Sequence, residues 1–433
     1  MVSQSKLISL SSIIIYFLPL AILTGPFIPD LFISIVALIF IFLTIRNRNF
    51  FYFKNQFFCA FILFYFYILL RSILSEAPYL SLESSLFYFR FIFFSLAIWF
   101  LANNNSNFIK YFSYAFLTTM LLALFEGFLQ YLFDLSIIGL PSQGYRLHLT
   151  LNDKLLLGNY LARLFPLLFA FVIYLFSNQK YFVYLSFIML ILTDVLIYLS
   201  GERTAFGLLT VSTVFIIIFI SKYKKIRFVT FIISLIIIAI ITLVNSDVKK
   251  RNIDHTINQL SGDLIVDKSP EHKEALDKSI EDVGIIIFSN EHHGFFITAL
   301  NIFKDNPIFG IGPKLFRLKC YDEKYSLSNS SCNTHPHNNL IQLLAETGVV
   351  GFLFYILIVI KILYNLFIHT ISVLRKNKYI YNDYQVCLLA CFVISLWPFF
   401  PTLSLFNNWI NIIYFLPIGF YLHSIYGNGS SAN

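Results

Sequence analysis

The chain has 433 residues, of which 58% are hydrophobic and 12% charged, with a formal net charge of +8 and a mean hydropathy of +0.75. A soluble domain carries roughly 25% charged residues, so this composition excludes a water-soluble globular protein. The apolar runs exceed the ~18 residues that mark a transmembrane helix, and without strand-like alternation they are helices rather than barrel strands, because hydrocarbon leaves every backbone N–H and C=O to be paired within the segment.

In chain order the predicted spans are 7–23, 26–45, 57–74, 83–101, 112–133, 155–176, 181–200, 204–220 and 226–243. After a long polar stretch come 339–368, 384–400 and 408–425. The N-terminal run follows Lys6 and lacks a small-residue cleavage site, so it is expected to be a retained helix rather than a removed signal peptide. The fold class is therefore an all-α polytopic membrane protein. Residues 1–245 hold helices 1–9, residues 246–338 form one large loop, residues 339–426 hold helices 10–12, and residues 427–433 are a tail expected to be disordered.

Alternate loops divide by charge. One set holds Lys6; Arg46, Arg48 and Lys54; Lys110; Lys180; Lys222, Lys224, Lys225 and Arg227; and Arg375, Lys376 and Lys378. The positive-inside rule puts this set and both termini in the cytoplasm, and the large loop outside. These anchors account for the net charge as topology and lipid contact, which sets nucleic-acid binding aside. Part of the loop, HKEALDKSIEDVGIIIF, has helix-like patterning. No internal repeat is visible, and the polar residues crowd one side. A transporter or flippase of lipid-linked sugars, which places such groups near the midplane between repeats, is the competing class.

An Arg at mid-membrane costs about 2.5–3.5 kcal/mol on insertion scales, so such a residue faces a cavity. Arg90, Arg163 in GNYLARLFP and Arg203 in SGERTAFG converge with Glu126, Arg146 and His148 on the outer half. Guanidinium groups grip phosphate bidentately. Plainer readings are that Arg71 and Arg90 snorkel or pair with Glu76 or Glu83, and that Glu202 and Arg203 form a surface ion pair.

The sharpest feature is CNTHPHNNLIQLLAETGVVG, with His335 and His337 just before a span. Asn338 or Asn339 can cap that helix. Imidazole suits a general base; the plain alternative is an interfacial His bonded to a carbonyl. Cys320 and Cys332 are spaced for one disulfide in an oxidising compartment. It would contribute on the order of 3 kcal/mol and fix the segment leading to His337; the alternative is two free thiols. Cys59, Cys387 and Cys391 read as buried hydrophobes. His292, His293, His335 and His337 fit no common zinc spacing, so neither metal nor cofactor is expected.

The run ITALNIFKDNPIFGIGPKLFRLKC, followed by THPHNNLIQLLAETGVVG, resembles the signature region of the O-antigen ligase and polymerase superfamily, bacterial inner-membrane glycosyltransferases of the C-type fold class. Asn306, Pro307, Gly310, Gly312, His337, Asn338, Glu346, Gly348 and Gly351 fit its pattern. The resemblance implies a glycan donor linked to undecaprenyl diphosphate, met at the periplasmic face. The acceptor would be lipid A–core, in an O-antigen ligase, with a repeat-unit polymerase acting on a second lipid-linked glycan as the alternative. It makes His337 the essential base and Arg203 a diphosphate contact, in a metal-independent, inverting transfer. The family's second Arg, shortly before the Asn-Pro turn, is replaced here by SNEHHGFF, so His292 or His293 stands in its place. Arg163, Arg317 and Arg90 are the other candidates.

Overall fold

Long apolar runs become helices because lipid offers the backbone no other partner. The computed structural model describes residues 3–139, 146–149, 151, 154–179, 181–260, 290–326, 331–376 and 378–427, and no β-strand occurs among them. The first half comprises α1 (Gln4–Tyr16), α2 (Leu18–Ile22), α3 (Phe27–Arg46), α4 (Gln56–Ile73), α5 (Pro78–Ser85), α6 (Phe89–Asn104), α7 (Phe108–Phe133), α8 (Leu157–Phe176), α9 (Phe182–Leu199), α10 (Arg203–Phe219) and α11 (Lys224–Val244). Within the large loop lie α12 (Ser246–Lys249), α13 (His255–Leu260), α14 (Asn290–Asp305) and α15 (Phe316–Lys319). The last three helices are α16 (Asn339–Lys376), α17 (Asp383–Ser395) and α18 (Asn408–Tyr426). The helix-like run at 272–288 and the tail beyond residue 427 lie outside the described residues.

Among the described residues, eight helices are long and apolar enough to cross a membrane. The remaining predicted spans fall to α1–α2, α10, α17 and α18. The α1–α2 pair breaks at Phe17, ahead of Pro19, and α10 and α17 are short. The last helix has the length but carries Asn408, Asn411 and His423. Its polar groups are met by protein: the buried Asn411 accepts a hydrogen bond from Tyr88 Oη and donates to the Leu405 carbonyl.

The centre of the bundle is α8, packed against α7, α9, α10 and α17, with every side chain from Tyr160 to Ile173 buried. A helix apolar all round belongs in such a core. α6 lies between α3 and α18. A second, smaller core joins α14, α15 and the start of α16 through Phe295, Phe296, Ile302, Phe316 and Ala345.

The bundle has two chemically different ends. At one, Tyr52 meets Asn103 and Asn104, His423 meets Asn103, and Gln385 donates to Ser424. There the Asp383 carboxylate accepts from the backbone N–H groups of Ser221, Lys222 and Tyr223. The loops carrying the cationic set gather at this end. Arg227, grouped with them by sequence, behaves differently. It is fully buried in α11 and donates to Asp194 through Nη1 at 2.8 Å and Nη2 at 3.0 Å. Ser234 also donates to Asp194, and the guanidinium lies 4.3 Å from the Phe165 ring centroid. A buried charge left alone costs roughly 3–5 kcal/mol, so these two residues exist only as a pair.

Candidate active site

The other end is organised by a break in α16. Gly348 has φ +63° and ψ −169°, a conformation essentially reserved for glycine. The turn at 306–312 meets the backbone groups around the break. Val349 and Val350 donate to the carbonyls of Pro307 and Ile308, and Ile311 and Gly312 donate to those of Ala345 and Glu346. Arg71 Nε donates to the Gly310 carbonyl at 2.9 Å, so it serves the turn rather than Glu76, which pairs with Lys319. The Glu346 carboxylate accepts from Phe316 N and Gln342 Nε2, and Gln342 also holds Ser404 and the backbone N–H of Leu405. Pro307, Gly310, Gly312, Glu346 and Gly348 thus form a joint locking the large loop to α16 and to the loop before α18.

A Cβ at Gly348 would overlap the Ile308 carbonyl. We expect Gly348→Ala to destabilise the protein by at least about 1–3 kcal/mol and to lower its thermal midpoint in detergent. Gly139→Ala is the milder comparison: its φ of +76° strains an alanine too, but among the described residues an added carbon there has nothing within 4 Å. Equal midpoints for Gly348→Ala and the parent would show that the joint contributes nothing to stability.

The joint and the Cys320–Cys332 disulfide deliver the histidine segment. The rings of His335 and His337 lie 4.1 Å apart, His292 stands 5.3 Å from His337, and Phe295 stacks on His337 at 5.5 Å. His337 has φ +56°, a left-handed conformation uncommon for a non-glycine residue. Its carbonyl accepts from Thr402 N at 2.8 Å. His335 Nε2 lies 3.2 Å from the Thr402 carbonyl. Because that partner can only accept, Nε2 carries the hydrogen and Nδ1 is left to accept from Thr334 Oγ1 at 3.0 Å. Asn338 caps α16, accepting from Leu340 N and Ile341 N, and donates to the Pro398 carbonyl.

Burial lowers His335 to about 4. Burial, then the neighbouring His335 and His292, lowers His337 to about 3. Both imidazoles are neutral at neutral pH. Arg163 closes the group: Nη2 donates to Thr402 Oγ1 at 2.9 Å, and its Cζ lies 5.3 Å from the Tyr414 ring centroid.

A second cluster is made of arginines. Arg203 Nη1 donates to Thr256 Oγ1 at 3.0 Å, and its charge opposes that of Arg251, which holds the Gly201 carbonyl. Arg251 in turn opposes Arg146, which lies 3.8 Å from Glu202. Glu202 is buried and accepts from Gly158 N, Asn159 N and Asn159 Nδ2, so it is a tie to α8 rather than a surface partner of Arg203. Burial pushes its carboxyl up to about 7, against the pull of the Arg146 charge.

The two clusters border one loop. Asn159, on Glu202, and Arg163, on Thr402, stand one turn apart on a single face of α8. Gly207, one turn beyond Arg203, lies against Phe400, whose Cζ would be 2.7 Å from an added Cβ. Phe400 is two residues from Thr402.

Residues 185–356 match the family model described as O-antigen ligase. The chain carries an O-antigen ligase family domain. No curated protein matches it. The match supports the O-antigen ligase and polymerase superfamily and a glycosyltransferase activity of that type.

The ligase-family segment contains Arg203, His292, His293, Arg317 and His337, whereas Arg163, Thr402 and Tyr414 come from helices and loops outside it. Of the residues expected from sequence, the structure groups His292, His337 and Arg163 around the same loop. Arg317 stands close enough for its charge to oppose protonation of His335. His293 is buried, with Nε2 unpartnered among the described residues, and it is absent from the ring contacts of His337. Arg90 stands apart from both clusters: its Nε donates to Asp30 at 2.8 Å, and Asp30 also accepts from Asn408, so the guanidinium has a partner within the fold. Arg251 and Thr402 escaped sequence reasoning. The first sits in a basic run, KKRN, and the second in WPFFPTLS, where neither charge nor spacing marks it.

Proposed function

We propose that this protein transfers a glycan from undecaprenyl diphosphate to an acceptor hydroxyl at the periplasmic face of the bacterial inner membrane, with lipid A–core as the acceptor. What supports the reading is that a neutral imidazole at His337 and the arginine group around Arg203 border the same loop at one end of the bundle. The acceptor oxygen attacks the anomeric carbon as the bond to the diphosphate breaks. The acceptor proton passes to a His337 ring nitrogen, and the electron pair leaves on the diphosphate. Arg203, joined by Arg251 and Arg146 where the family's second Arg is missing, stabilises the charge that grows there, which is usually the largest electrostatic contribution. Arg163 and His292 complete the pocket wall. Direct attack inverts the anomeric centre, and no metal takes part.

An imidazole held near 3 is a weak base until the donor arrives. A bound diphosphate supplies negative charge, which favours the protonated imidazole and raises its pKa. Because the base acts in its neutral form, rate falls as pH drops through that pKa. We therefore expect kcat/KM, which reports the free enzyme, to show no acid limb between about pH 5 and 7, and kcat, which reports the complex, to have its acid limb at higher pH. A kcat/KM limb near the ordinary histidine value would contradict this.

The deciding assay supplies purified protein in detergent with synthetic undecaprenyl-diphosphate glycan and, separately, lipid A–core or a second lipid-linked glycan. Transfer to lipid A–core supports the ligase; elongation of the second glycan alone makes the protein a polymerase. Loss of activity in EDTA, restored by zinc, would overturn the metal-free mechanism.

A further inference from the structure

Every polar group of Thr402 is engaged, and each leads to a different part of the site. Its N–H donates to the His337 carbonyl at 2.8 Å. Its carbonyl accepts from His335 Nε2 at 3.2 Å. Its hydroxyl accepts from Arg163 Nη2 at 2.9 Å and lies 3.1 Å from Tyr414 Oη. Thr402 belongs to the loop between α17 and α18, outside the residues matched by the ligase family model. That loop is pinned on both flanks, by Asn338 on Pro398 and by Gln342 on Ser404 and Leu405. A threonine so placed has little freedom to move independently of either neighbour.

We propose that Thr402 is a positioning residue that sets the distance between the Arg163 guanidinium and the backbone carrying the His337 imidazole. The proposal rests on the reading of His337 as the base. His337 sits in a left-handed backbone conformation, and the Thr402 N–H bond to its carbonyl is the contact that holds this conformation in place. His335, locked as the Nε2–H tautomer, is the second strap on the same residue, through the Thr402 carbonyl. Arg163 is buried at 4% exposure with Nε unpartnered among the described residues, so losing the Thr402 hydroxyl removes a partner that water cannot readily replace. The guanidinium would then reorient, and alignment at the reacting centre would suffer without loss of any group that touches substrate.

The test is steady-state glycan transfer by purified Thr402→Val and Thr402→Ser. Valine keeps the shape and deletes the hydroxyl; serine keeps the hydroxyl and deletes the methyl. We expect Val to lower kcat roughly ten- to hundredfold with little change in donor KM, since misalignment acts on the transition state, and Ser to restore most of the rate. Val as active as the parent, or Ser as impaired as Val, overturns the proposal. If Val fails to purify as a folded species, His335→Gln and His335→Ala carry the test. Gln retains a donor for the Thr402 carbonyl and should keep activity that Ala loses, and equal activity in the two is the overturning result. His337→Ala, run alongside, separates the levels. Transfer retained there refutes the base itself, whereas transfer lost there but normal in Thr402→Val refutes only the positioning role.

Discussion

His337→Ala is expected to lower glycan transfer by about 10²–10⁴-fold, the usual contribution of a positioned general base, while the protein still inserts and purifies. The second half of that expectation comes from the contacts. His337 is tied to the fold through its backbone carbonyl, and among the described residues its ring contacts with other rings are to His335, His292 and Phe295. The helix cap belongs to Asn338 and the loop anchorage to the disulfide and the Gly348 joint. Removing the imidazole therefore deletes chemistry and little architecture. Alanine does carry a penalty in the left-handed conformation, but His337 already bears it. Unchanged transfer by a folded His337→Ala protein would remove the imidazole from the reaction.

Arg203→Ala should be the next most damaging change, with a loss of about 10²–10³-fold in kcat, as for removal of one donor from a preorganised anion site. Arg203 opens α10 and among the described residues bonds Thr256 alone, so its charge is available to a ligand, whereas the charge of Arg90 is matched by Asp30. Arg251→Ala should follow Arg203→Ala in kcat, because the two guanidinium groups face one another. Arg90→Ala should instead lower the thermal midpoint and leave transfer largely intact in the protein that remains folded. Arg203→Ala with parental turnover, or Arg90→Ala with the greater catalytic loss in folded protein, would move the anion site away from α10.

The residues of the proposed site stood out in the sequence because its chemistry would need rare residues in unusual places. An imidazole at the head of a span and an Arg at the turn between two spans stand out against 58% hydrophobic residues. The glycines at 310, 312 and 348 were readable as a motif, but their reason was not. Only the fold shows that one turn fills the break in a distant helix, where a Cβ at Gly310 or Gly348 would strike backbone and one at Gly312 the Ser75 side chain. Arg90 and Glu202 show the opposite limit. Both looked like site or surface charges, and both are structural, because their partners, Asp30 and the first turn of α8, lie far away in sequence.

Composition and period alone determined that this chain is a bundle of membrane helices, since lipid forbids any unpaired backbone and so translates apolar length directly into helix. The cationic loops and the polar face were likewise readable, being local facts about where charge is tolerated. What the tertiary structure decided was partnership: which arginine is neutralised, which faces another cation, and that an unremarked threonine joins Arg163 to His337. Such pairings depend on helix packing between residues hundreds of positions apart, and no periodicity in the sequence encodes them.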